Sequence, residues 1–238
     1  MKRLFYILFF ALSIGLYSAQ ASAACGATDI FTNNGASNYW GNTSTWSPAN
    51  VPSDSTENAI ISAAGTTGYT WVFPGSYTAS CVEVVSGLLA LWNQTLTITG
   101  DYFKSHTPSG LYYGRTDNNI IMDGAGPQSL EIVGTIPNIE VAGDNVLTST
   151  YPFSTLNAMV LSGTSTIVNF DNDYEIINNS AFTIPTGVTV KIRNGAKFTA
   201  GGNVTVNGTL IIESGATLSV ASGRTLSVPT GGYLQIDG

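Results

Sequence analysis

Three carboxylates occupy alternate positions in the run Phe170-Asp171-Asn172-Asp173-Tyr174-Glu175-Ile176. In an extended strand, residues two apart share a face, so Asp171, Asp173 and Glu175 would project together while Phe170, Tyr174 and Ile176 point inward. A row of carboxylate oxygens is the donor type that calcium takes, which makes these three the best candidate metal ligands in the chain. The plainer reading of the same row is a polar outer face. Asp117 with Asn118 and Asn119, and Asp123 in its glycine turn, are weaker candidates of the same kind. Nucleophilic catalysis has little to work with. The single histidine, His106, lies in Lys104-Ser105-His106-Thr107-Pro108, with no serine or cysteine nucleophile motif around it, and zinc would need several His or Cys at close spacing. Lys191 and Arg193 share a strand face that would suit an acidic sugar or simply meet solvent.

A second constellation is aromatic. Tyr39, Trp40, Trp46, Tyr69, Trp71, Phe73 and Tyr77 crowd one stretch near the N-terminus, including three of the four tryptophans. Tyr39, Trp40, Trp46 and Trp71 would make a platform for stacking on sugar rings, with surface glycans as the partner; the same rings would equally serve to cover the open end of a repeat column. Two cysteines, Cys25 and Cys81, complete the chemically distinctive residues. They are expected to pair as a disulfide in an oxidising compartment. The alternative for Cys25 is lipid modification, because Ser22-Ala23-Ala24-Cys25 is similar to a lipoprotein signal that lacks the usual leucine.

The elements that must position these groups are written in a repeat. The pairs Leu210/Ile212, Leu218/Val220, Leu226/Val228 and Leu234/Ile236 begin eight residues apart, each after a glycine-led turn, and Phe182/Ile184, Val190/Ile192 and Phe198/Ala200 continue the series upstream, with Val204/Val206 between. Phe182 to Leu210, Val190 to Leu218 and Phe198 to Leu226 are each 28 apart, which suggests a 28-residue period. Short strands with an apolar-polar-apolar pattern cannot bury their inner face alone, whereas stacked coils bury one continuous column. The fold class expected is all-β: a single-stranded parallel β-helix, or β-solenoid, with an aromatic-rich N-terminal cap. A β-sandwich or a propeller would need longer strands or a period nearer 40. The division expected is a leader at 1–24, the cap and first coils at 25–80, an irregular solenoid with projecting loops at 81–181, and regular coils at 182–238 that look uncapped. Loops are expected at Gly110, Gly124-Ala125-Gly126-Pro127 and Thr148-Ser149-Thr150-Tyr151-Pro152.

Met1-Lys2-Arg3, the apolar run Leu4 to Tyr17 and the small residues to Ala24 read as a secretory signal. The run falls short of the roughly 20 residues that cross a bilayer as a helix, and no later segment replaces it, so no transmembrane segment is expected. Losing Lys2 and Arg3 with the leader leaves 6 basic and 15 acidic residues, a formal charge of −9. Nucleic acid is thereby excluded as a partner, since no basic patch is present to neutralise phosphates. Charged residues make up only 10% of the chain, well under the roughly 25% of ordinary domains, so hydroxyls and amides must cover much of the surface. The five Asn-x-Ser/Thr triplets, at Asn42, Asn93, Asn178, Asn203 and Asn207, are read as turn and ladder residues.

The run Trp40-Gly41-Asn42-Thr43-Ser44-Thr45-Trp46-Ser47-Pro48, with Val51-Pro52 and then Asn58-Ala59-Ile60-Ile61, resembles the opening of Bacteroidetes-type exported β-solenoid surface or adhesin-like repeat proteins. Leu96-Thr97-Ile98-Thr99-Gly100-Asp101 and Ile120-Ile121-Met122-Asp123-Gly124-Ala125-Gly126-Pro127-Gln128 are similar to further blocks of those proteins. The resemblance implies a protein secreted from, or held on the surface of, a Gram-negative bacterium. Its function would be structural or adhesive and non-catalytic, with surface glycans or other surface proteins as partners and no cofactor beyond possible calcium. Self-association through the C-terminal coil would make it a fibre subunit. The alternative from another class is a polysaccharide-active β-helix lyase or hydrolase, although the histidine-glycine and paired-aspartate motifs of pectin-cleaving β-helix enzymes are missing.

Overall fold

The computed structural model describes residues 29–33, 39–61, 69–72, 75–86, 88–91, 93–105, 111–113, 119–132, 134–143, 146–149, 151–171 and 175–238. The expected leader, Cys25, His106 and Asp173 lie outside the described residues. Alternation dictates the local structure. In Thr189–Ile192, for example, Val190 and Ile192 are buried while Thr189 and Lys191 stay half-buried, and the turn that follows is made by Asn194 and Gly195, both at positive φ. Glycine adopts that conformation without strain, and asparagine tolerates it better than most residues. Most strands are three to five residues long, and glycine at positive φ also marks the turns at Gly187, Gly215, Gly223 and Gly231. Apart from the strands, the described residues hold a single 3-10 turn, Thr43–Thr45.

The strands wind into an all-β parallel solenoid of about seven turns. Each coil contributes to three faces. The first face is one 11-stranded sheet: Trp46–Ser47 and Asp29–Asn33 stand at its N-terminal end, and Glu57–Ile61, Val82–Val84, Tyr102–Ser105, Gln128–Glu131, Val146–Ser149, Ile167–Phe170, Thr189–Ile192, Thr209–Ile212 and Tyr233–Ile236 follow in order. Every described pairing is parallel except that of Trp46–Ser47 with Asp29–Asn33. Inward side chains stack in columns, Val168 over Val190, Leu210 and Leu234, and Phe170 over Ile192, Ile212 and Ile236. Within the column the Phe170 and Phe198 rings are stacked with centroids 4.9 Å apart, and Phe182 meets Phe198 at 4.8 Å.

Two long strands, Gly134–Val141 and Phe153–Leu161, turn the corner between the second and third faces without a break. Their first halves extend the second face, from Leu111–Tyr113 on one side to Glu175–Asn178 on the other; their second halves extend the third, from Asn119–Met122 to Phe182–Ile184. The register shifts at the bend, where Pro137 alone faces the two residues Leu156 and Asn157. Asn178 repairs the ladder there. Fully buried, its side-chain carbonyl accepts the Thr155 hydroxyl at 2.9 Å and the Met159 backbone N–H at 3.0 Å, while its amide donates to the carbonyls of Ser180 at 3.2 Å and Ala181 at 3.4 Å.

The 28-residue period is corrected by the register. Val190 pairs with Leu210, Phe198 with Leu218 and Phe182 with Val204, so successive coils in this region lie 20 to 24 residues apart. Val204–Val206 is the third-face strand of its coil, not an insertion. A coil is three strands, and a step of 28 spans four of them, which matched like with like in sequence but not in space. The expected loop at Thr148–Pro152 is corrected as well: Thr148 and Ser149 belong to the strand Val146–Ser149, with Ser149 buried in the inward column beside Phe170.

Candidate functional site

The three-acid row does not lie on one strand. Asp171 follows the last residue of Ile167–Phe170 on the first face, and Glu175 opens Glu175–Asn178 on the second, so a corner separates them. Phe170 and Ile176 are buried as the alternation requires. One coil below, the equivalent corner is Arg193-Asn194-Gly195-Ala196-Lys197, fixed by the Arg193 N–H on the Phe170 carbonyl at 3.0 Å and the Ala196 N–H on the Arg193 carbonyl at 3.0 Å. This places a cation under Asp171 and another under Glu175. The Arg193 guanidinium donates through Nη2 to Asp171 Oδ2 at 2.6 Å, and the Asn194 amide donates to Oδ1 of the same carboxylate. Lys197 Nζ stands 2.8 Å from Glu175 Oε1, which also accepts the Thr199 hydroxyl at 2.8 Å. Those hydrogen bonds, from Lys197 first and Thr199 second, hold the Glu175 carboxyl below the usual glutamate range.

The pairs differ in what they can contribute. Asp171 is 13% exposed at its side chain and receives two neighbouring donors, a charge-assisted arrangement that is the stronger kind. Glu175 and Lys197 are 41% and 46% exposed, so water screens most of their attraction. Both pairs join one coil to the next. Among the described residues no group of three or more His, Cys, Asp or Glu side chains is arranged to hold a metal ion.

A second charged group, which the sequence did not single out, stands on the outside of the first face. Glu83, Lys104 and Glu131 fall in register on consecutive coils, with Lys104 Nζ 3.1 Å from Glu131 Oε2. The hydrogen bond that Lys104 donates to the Glu131 carboxylate raises the Lys104 ammonium above its ordinary range. Beside it the Tyr102 hydroxyl is pushed up, first by burial and then by the charge of Glu83. Each of these residues is unremarkable in the linear sequence; the row exists only because the coils stack.

Two residues of the expected aromatic platform, Trp40 and Trp46, lie inside. Trp40 and Trp46 are both at 0% exposure and meet edge to face, with ring centroids 4.9 Å apart. Trp40 also lies 6.0 Å from Tyr77. Both indole N–H groups are satisfied by backbone, Trp40 on the Pro52 carbonyl and Trp46 on the Trp40 carbonyl, each at 2.8 Å. The intervening turn is held by the Asn42 side chain, which accepts the Ser44 N–H, and by the Thr45 hydroxyl on the Tyr39 carbonyl. These two rings are therefore core residues and offer no face to a sugar. Tyr39 is half exposed, and Trp71 lies in Tyr69–Val72, its backbone paired with Ala90. Cys81 is buried and disulfide-bonded, and its Sγ accepts the Asp101 N–H at 3.2 Å.

Gln128, the first residue of the strand Gln128–Glu131, is also structural. Nearly buried, it donates to the Ile98 and Gly100 carbonyls at 3.1 and 2.7 Å and accepts the Gly124 N–H at 3.1 Å. A side chain at Gly124 would meet Gln128 and the Thr99 carbonyl, with approaches of 2.7 and 2.9 Å, so glycine and glutamine are required together at this turn. Compared with known proteins, the chain matches no family model, no curated protein and no solved structure. No helix among the described residues is long and apolar enough to cross a membrane.

Proposed function

We propose that this chain is an exported, non-catalytic β-solenoid that serves as a structural or adhesive module at a bacterial surface, contacting glycans or other surface proteins through its outer faces. The observation that carries the reading is the use made of the candidate chemical groups. Asp171 and Glu175 face Arg193 and Lys197 of the next coil, and Lys104 faces Glu131; these charges bridge coils in place of converging on a cleft. The buried Trp40 and Trp46 fit a block that closes the N-terminal end of the column. Export is supported by the N-terminal pattern from Met1 to Ala24 and by the disulfide at Cys81, a bond suited to an oxidising compartment.

Expression of the full chain in a Gram-negative host, followed by mass spectrometry of its N-terminus and protease shaving of intact cells, tests the reading. The expected product begins at Ala24 or Cys25 and is removed from the cell surface or recovered from the medium. An uncut chain retained in the cytoplasm would overturn export. Release of reducing or unsaturated sugar from acidic glycans, abolished by Asp171→Asn, would overturn the non-catalytic role.

A further inference from the structure

We draw no further inference here: the strongest candidate, the apolar axial face of the last coil at Leu226, Val228, Tyr233 and Ile236, carries none because nothing in the structure shows what covers it.

Discussion

Replacing Asn178 with alanine tests how the bent strands are held. The substitution removes the acceptor of the Met159 N–H and of the Thr155 hydroxyl, and the donor to the carbonyls of Ser180 and Ala181. Asn178 and Thr155 are both fully buried, so water cannot simply replace the lost partner. A buried donor left unsatisfied costs about 1–3 kcal/mol, and here at least the Met159 N–H is stranded. The Thr155 hydroxyl can rotate toward another acceptor and softens the total, so the expected loss is about 2–4 kcal/mol. Solenoids need not unfold in one step, so the measurement is urea denaturation paired with hydrogen exchange of the amides of residues 153–161 and 175–178. Faster exchange should begin there and spread less to residues 204–236. Asn178→Asp keeps the acceptor but places a carboxylate in a buried site, and should lose at least as much at neutral pH, recovering part of it in acid. A change under about 0.5 kcal/mol for Asn178→Ala, the level of a neutral surface substitution, would refute the argument that this amide repairs the corner.

Other substitutions probe the column, the flank and the N-terminal block. Phe198→Ala removes the ring between Phe170 and Phe182 and should cost about 3–5 kcal/mol; a midpoint in urea shifted no further than for an exposed residue would contradict the stack. Because Glu175 is held below the glutamate range in the folded chain, the unfolded chain takes up protons first as acid is added. Its contribution is therefore present above the unfolded pKa and fades as pH falls through the folded one. Glu175→Gln should flatten the stability profile in that window by less than about 1 kcal/mol, as expected for an exposed pair, and an unchanged profile would count against the Lys197 contact. Asp171→Asn should lower the melting temperature equally in chelator and in millimolar calcium; a calcium-dependent rise in the wild type that this variant loses would instead establish a metal site. Trp46→Ala should lower the melting temperature strongly while leaving glycan-array binding per folded molecule unchanged, and selective loss of binding without loss of stability would restore the platform reading.

Much of the architecture is legible in the chain itself because alternation is a local property. Val190 and Ile192, Phe198 and Ala200, Leu210 and Ile212 each declare an inward pair two residues apart, and the intervening Thr and Lys declare the outward side. Glycine and asparagine mark the corners where φ must be positive. From such units the parallel, stacked character of the fold follows, since strands this short have no other way to bury one face. What the chain could not declare is which coil meets which. Stacking register is a sum over three strands and three corners whose lengths vary from coil to coil, so equal spacing in sequence, 28 residues, misassigned Leu218 to Val190 when Leu210 is its neighbour.

The candidate site divides along the same line. That Asp171 and Glu175 point outward was set by the inward neighbours Phe170 and Ile176, a matter of sequence alone. Their partners, Arg193 and Lys197, are 22 residues away and are brought beneath them by the coil register. The same register aligns Glu83, Lys104 and Glu131. Trp40 and Trp46 illustrate the remaining gap: an aromatic ring stacks on a sugar or on another ring by the same physics, and only the packing around it decides which. For these two, burial against each other and beside Tyr77 decided for the core, while the sequence had determined only that both rings stand in one short run of the chain.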